Sequence, residues 1–356
     1  MFLSNLEAVN FRNYDKINCS LSKEINLIYG PNGSGKSNFL EAIHFSLTGK
    51  SYRTKNDLNM FKFGKDFINT DVKYLKDGYK KYIKIISSAQ TGKEININGI
   101  RREKSTTLFY ETNLIIFTPS SPQLVKGEPS TKRRFLDKIG LKTNKEFSLI
   151  LSRYNQTLKR RNAILKHRFI EPRNRNLIDL LTKELMDLGK IIQSERILII
   201  NKLNNELERT TSSNHINAYS NLRIIYKPEE FDTVKADKIF KEELRRGISL
   251  IGAHLDDVVI ENRNQSVKDY SSDGEQKMAT IILKLCELNI IESETKNSPV
   301  LLLDDLFSEL DTENSYAVIS YLKDKSQIFL TNLELISLDN IKTFQLEPNI
   351  NNLCIN

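Results

Sequence analysis

Cysteine is scarce and histidine nearly so. The three cysteines, Cys19, Cys286 and Cys354, are odd in number and far apart, which excludes a disulfide framework or a cysteine-built zinc site and fits a reducing compartment, the cytoplasm. Four scattered histidines leave no imidazole-built metal centre. No run of about eighteen apolar residues occurs, so no membrane-spanning helix is expected. The start, Met1-Phe2-Leu3-Ser4-Asn5-Leu6-Glu7, has neither the basic opening nor the apolar stretch of a secretion signal.

What the chain does have is 356 residues, enough for two domains, and a net charge of +8. The charge is uneven. Between Lys126 and Arg209, 20 lysines and arginines stand against 10 acids, so the surplus lies in the middle and the remainder is close to neutral. A basic middle on a neutral body is the footprint of a polyanion-binding surface, nucleic acid first among the options.

One short stretch carries specific chemistry. Gly30-Pro31-Asn32-Gly33-Ser34-Gly35-Lys36-Ser37-Asn38 fits the phosphate-binding pattern G-x-x-x-x-G-K-[S/T]. A largely apolar, β-prone run, Glu24-Ile25-Asn26-Leu27-Ile28-Tyr29, precedes it and reads as a buried strand. Asn38 to Phe45 is apolar at helical spacing. Glycines let backbone N–H groups close around phosphates, and the following helix adds the positive end of its dipole. Lys36 is placed for the β- and γ-phosphates of ATP and Ser37 for Mg2+.

Further along, strands are expected at Leu6–Phe11, over 68–73, 82–86 and 95–97, and over 113–117, with Asn98-Gly99 as a hairpin turn. From about Leu141 to Arg209 the pattern turns helical. Phe147, Leu151, Tyr154, Leu158 and Leu165 form a heptad seam interrupted by Arg161. Glu171-Pro172-Arg173-Asn174 breaks it, and a second helix carries Leu181, Leu185, Leu188, Ile192, Ile199 and Leu203. This predicts an antiparallel pair of helices, each about 40–45 Å long. The α/β pattern returns after residue 220. The expected organisation is an α/β head made from both chain ends, 1–125 and 221–356, with a helical arm, 126–220, inserted between them.

The two ends need a chemical link, and Val300-Leu301-Leu302-Leu303-Asp304-Asp305 supplies it. An apolar strand ending in two carboxylates is the Walker B arrangement, with Asp304 for Mg2+ and Asp305 to orient or deprotonate an attacking water. Upstream, Ser272-Asp273-Gly274-Glu275 reads as a capped helix start and resembles the signature motif of ATP-binding-cassette ATPases, in which Ser272, Gly274 and Glu275 would face the γ-phosphate held by a second copy. Ser308 and Asp311 follow the Walker B strand as a D-loop does.

With these pieces in place the chain resembles the RecF family along nearly its whole length. The resemblance is carried by Asn10-Phe11-Arg12-Asn13-Tyr14, the phosphate loop, Ser51-Tyr52-Arg53-Thr54, Phe117-Thr118-Pro119 with Leu124-Val125-Lys126-Gly127, Lys132-Arg133-Arg134-Phe135-Leu136-Asp137, Arg161-Asn162-Ala163, and the block from Leu301 to Asp311. It departs from the family pattern at Ser120-Ser121, where an acidic pair is usual, at Glu128, at Ala253 and Leu255 within Gly252 to Asp257, and at Asp273 and Glu275, where glutamines are usual.

The resemblance implies an ATP-binding-cassette-type P-loop ATPase head. ATP would join two copies around DNA, and slow hydrolysis would release it. The implied purpose is recombinational repair and replication-gap processing, in support of RecA loading with RecO and RecR. It implies Arg12 and Arg53 as nucleotide contacts. Lys132, Arg133, Arg134, Lys159, Arg160 and Arg161 are candidate DNA contacts. Two other classes fit a P-loop chain: a cassette subunit serving a transporter, and a DNA clamp that does not hydrolyse.

Overall fold

The computed structural model describes residues 1–167, 172–212, 219, 221–305, 312–323, 325–336, 340–348 and 351–355. They form two compact units, Met1–Ser121 with Ile291–Asn356, and Pro122–Ile290. The first boundary lies close to the expected one. The second does not: residues 221–290 group with the inserted helices, and not with the head.

The first unit contains two sheets. One has five strands in the order Ile341–Gln345, Ile25–Tyr29, Ile328–Asn332, Val300–Leu303, Leu114–Phe117, with every neighbouring pair parallel. Parallel sheets are buried on both faces and read as continuous apolar runs, as Val300–Leu303 does. Asn26, buried mid-strand, is accommodated by a reciprocal pair of hydrogen bonds with the Ser22 backbone at 2.8 and 2.9 Å.

The second sheet has seven strands, ordered Asn352–Ile355, Tyr14–Ser20, Phe2–Phe11, Phe67–Lys76, Tyr79–Ser88, Gly92–Ile97, Ile100–Arg102, and is antiparallel except at its first pair. Asn98 and Gly99 make the expected hairpin, with φ of 50° and 83°, as a type I′ turn requires. The helix Lys36–Thr48 shares one apolar core with both sheets through Phe39, Leu40, Ile43, Phe45 and Leu47. Gln327 ties the sheets together, accepting from the Leu3 amide at 2.7 Å and donating to the carbonyls of Leu3 and Ser22 at 2.8 and 2.6 Å.

In the second unit the helical stretch is divided. Asn144 ends the helix Pro129–Thr143 and caps the next, Lys145–Leu165, accepting from the amides of Glu146 and Phe147. The partner helix, Pro172–Thr211, has 40 residues against 21. The pair therefore measures roughly 30 and 60 Å, not two equal lengths. Phe147, Tyr154, Leu185, Leu188 and Ile192 form the expected seam.

Arg161 does not face outward from that seam. It is 1% exposed. Its guanidinium meets Glu243 in a two-pronged pair at 2.9 and 2.6 Å, and donates also to Thr182 and Ser249, each at 2.8 Å. A similar hub surrounds Asp256, whose carboxylate accepts from Arg196 at 2.7 Å, Gln193 at 2.8 Å, the Glu229 amide at 2.9 Å and the Tyr226 hydroxyl. His254 meets the Tyr154 hydroxyl at 2.8 Å, and burial holds its imidazole below the ordinary value. The Gly252–Asp257 motif is thus built into the packing of this unit.

Among the described residues no helix is long and apolar enough to cross a membrane.

Candidate functional site

Parallel strands end at one edge of a sheet, which explains how residues far apart in sequence meet. The strands Ile25–Tyr29, Val300–Leu303 and Ile328–Asn332 deliver Gly30, Asp304 and Thr331 to the same carboxyl edge, where ligands of open α/β sheets bind. A cavity of ≈ 310 Å³ lies there, lined by the loop residues Lys36, Ser37 and Asn38, by Arg53 and Pro119, and by Asp304, Asp305 and Thr331.

The loop needs its glycines. Gly30 has φ of +151°, and a Cβ there would come within 2.1 Å of the Leu346 carbonyl oxygen. Gly35 has φ of +101°, and its Cβ would press on Asn13 and the Tyr14 hydroxyl at 2.8 and 2.9 Å. The Lys36 ammonium bridges the carbonyls of Gly30 and Pro31 at 2.7 and 3.0 Å, across the mouth of the loop. Burial lowers its pKa, while Asp305 and Asp304 act in the opposite direction.

The Ser37 hydroxyl donates to Asp304 Oδ1 at 2.9 Å, joining the two halves of the expected site across 267 residues of chain. A hydroxyl and a carboxylate this close are hard oxygen donors of the kind Mg2+ takes. Asp305 sits beside them with φ of +58°, a left-handed conformation that aspartate tolerates better than most residues.

Three side chains to which the sequence assigned no role in the site complete the arrangement. Thr331 donates to Asp304 Oδ1 at 3.0 Å and accepts from the Asp305 amide at 2.8 Å. Tyr52 donates to Asp304 Oδ2 at 3.0 Å, and burial together with that carboxylate pushes its phenol well above the ordinary range. Glu41 is fully buried in the phosphate-loop helix and gathers the Ser51 hydroxyl, Arg12 and Arg53. The signals were faint: Thr331 is a polar residue ending the apolar run Ile328-Phe329-Leu330, and Glu41 is a charge on an otherwise apolar helix face.

The structure separates the two arginines. Arg53 lines the cavity, held at Asn38 Oδ1 at 2.6 Å. Arg12 is not among the lining residues; its guanidinium grips Glu41 at 2.8 and 2.7 Å and donates to the Asn59 carbonyl.

In the second unit, Ser272 caps the helix Asp273–Thr295 in a reciprocal box with Glu275. The Ser272 amide and hydroxyl donate to Glu275 Oε2 at 2.7 and 3.0 Å, and the Glu275 amide donates back to Ser272 Oγ at 3.3 Å. Ser272, Gly274 and Glu275 are exposed, and a Cβ on Gly274 would meet nothing within 4 Å. Nothing in the packing around Gly274 demands a glycine. Ser308 and Asp311 lie outside the described residues.

Of the basic candidates, two are corrected. Arg161 is spent on Glu243. Lys132 is 6% exposed, and burial lowers its pKa. Arg133 is half-buried and donates to the Asp256 carbonyl at 2.5 Å. Arg134, Lys159 and Arg160 are exposed. The helical turn of about 100° per residue explains why neighbours in sequence divide this way.

Comparison with known proteins agrees with the geometry. The model of the RecF/RecN/SMC N terminal domain matches residues 2–345. The DNA replication and repair protein RecF of Lactobacillus johnsonii is 32% identical over 350 residues, 94% of this chain and 93% of that protein. RecF of Clostridium tetani is 32% identical over 357 residues, covering 97% and 95%. A solved structure of the recombination mediator protein RecF-ATP in the RecFOR pathway matches with a TM-score of 0.85 at 28% identity, covering 98% of this chain and 96% of that one. An Smc head, with a TM-score of 0.59 at 14% identity and coverage of 98% and 96%, shares the fold. The architecture is that of an ATP-binding-cassette-type ATPase head with an inserted helical segment, and the chain belongs to the RecF family of DNA replication and repair proteins.

Proposed function

We propose that the chain is an ATP-dependent, DNA-binding ATPase of recombinational repair, in which ATP joins two copies around DNA and slow hydrolysis releases them. The observation that carries this reading is the 2.9 Å contact between Ser37 and Asp304 at the mouth of the phosphate loop. The loop amides and Lys36 would receive the β- and γ-phosphates, and Ser37 and Asp304 would hold Mg2+; Arg53 stands at the cavity wall. Bound Mg2+ would offset phosphate charge. Asp305 orients the attacking water and accepts its proton.

The second copy contributes Ser272 and Gly274, whose exposed position and open surroundings suit a phosphate of another molecule. Arg134, Lys159 and Arg160 are left as the candidate contacts to the DNA backbone, a sequence-independent term that falls steeply with salt. The D-loop roles of Ser308 and Asp311 belong to the same proposal. Family membership supports a cytoplasmic place beside RecO and RecR in loading RecA.

Gel filtration with and without ATP, paired with a duplex DNA titration, tests this. The expected result is an ATP-dependent dimer, lost in Ser272→Arg, and DNA affinity that weakens with salt. A monomer that hydrolyses ATP at any dilution would overturn it. A transporter subunit would not bind DNA, and a non-hydrolysing clamp would bind DNA without turnover.

The capping box makes a second prediction. Glu275 places a carboxylate on the very donors an incoming phosphate needs. Glu275→Gln should lower the ATP concentration for half-maximal dimerisation by about two- to fivefold, equivalent to the ~0.3–1 kcal/mol of a charge at a helix start. An unchanged or raised midpoint would show that Glu275 does not oppose the phosphate.

A further inference from the structure

We propose that Tyr52 and Thr331 are positioning residues which clamp the Asp304 carboxylate from its two sides, so that it can share a divalent cation with Ser37. The inference rests on the nucleotide site proposed above. Asp304 is 6% exposed and sits between three hydroxyl donors. Oδ1 accepts from Ser37 at 2.9 Å and from Thr331 at 3.0 Å, and Oδ2 accepts from Tyr52 at 3.0 Å. A carboxylate offers about four acceptor directions, so three are occupied and its rotation is blocked.

Each clamp has a fixed support. The Tyr52 hydroxyl also lies 3.2 Å from the Ser37 carbonyl, but it has one proton, and a charged acceptor forms the stronger bond. Its neighbours Ser51 and Arg53 are both anchored on buried Glu41, and its ring packs against that of His44 in a T-shaped pair with centroids 5.3 Å apart. Thr331 uses both sides of its hydroxyl. It donates to Asp304 and accepts from the Asp305 amide at 2.8 Å, so one side chain sets the orientation of the metal-binding carboxylate and the left-handed turn that carries the candidate base. Groups in this relation to a metal ligand typically change metal affinity by about 10–100-fold when removed.

A purely structural role is the competing explanation, because a buried phenol needs an acceptor in any case. Tyr52→Phe separates the two, since it removes the hydroxyl and leaves the ring. A fluorescent ATP analogue is titrated into the full chain, first in EDTA and then against increasing Mg2+. Tyr52→Phe should bind the analogue in EDTA like the wild type and require about tenfold more Mg2+ for the metal-dependent gain in affinity. Thr331→Val should require at least as much, and Thr331→Ser should restore most of the loss. Variants whose Mg2+ midpoints fall within about twofold of wild type would overturn this proposal alone. A wild-type chain whose analogue binding ignores Mg2+ would overturn both this proposal and the reading of the site beneath it.

Discussion

Asp305→Asn should keep ATP-dependent dimerisation and lose turnover by at least about 100-fold, the lower end of what a positioned general base contributes. The substitution suits the test for a backbone reason. Asp305 has φ of +58°, and asparagine tolerates that conformation as well as aspartate does. The Asp305 amide keeps its bond to Thr331, so the turn that holds Asp304 is preserved. What disappears is a charged acceptor next to Lys36 in the cavity. Single-turnover hydrolysis measured beside gel filtration reads both effects. Wild-type hydrolysis by Asp305→Asn would remove the residue from the chemistry. A loss of dimers would move it from hydrolysis to binding.

Arg161→Met should lower stability by about 3–5 kcal/mol, because it strands a fully buried carboxylate without its counter-ion. Glu243 is 0% exposed, and its other described donor is the Leu250 amide at 2.8 Å. Thr182 and Ser249 also lose a donor. The melting transition of the chain, followed by circular dichroism, should fall by roughly 5 °C. Adding Glu243→Gln, which keeps an acceptor for Leu250 and removes the charge, should recover a large part of the loss. If Arg161 were a DNA contact instead, the single variant would melt like wild type and bind duplex DNA more weakly. That outcome would return Arg161 to the DNA-binding surface.

The sequence was most legible where local backbone chemistry decides the structure. A phosphate loop must have glycine at Gly30 and Gly35, and a Walker B strand must be apolar up to its carboxylates, so both could be read without tertiary knowledge. Arg161 shows the opposite case. Its interruption of the heptad seam was visible, but its partner lies 82 residues away on another helix, and nothing in either segment names the other. The roles of Tyr52 and Thr331 were not legible for the same reason, since a hydroxyl acquires its role only when folding supplies the carboxylate.

The boundary near residue 220 failed differently. Leu222–Lys227 has strand character, but propensity does not say which sheet a strand joins. It pairs with Asp257–Asn262 in a separate three-stranded sheet, and the unit ends at Ile290, inside a helix that gives no break in pattern.

The order of strands in the parallel sheet has a consequence for biosynthesis. Ile25–Tyr29 is hydrogen-bonded on one side to Ile328–Asn332 and on the other to Ile341–Gln345, both translated about 300 residues later. With synthesis at ~5–20 residues per second, the first of these partners emerges roughly 15–60 s later. Through that interval a nascent strand bearing the phosphate loop has two open edges, an invitation to pair with the wrong neighbour. A chain that stops before Ile328 therefore leaves both edges of this central strand unpaired.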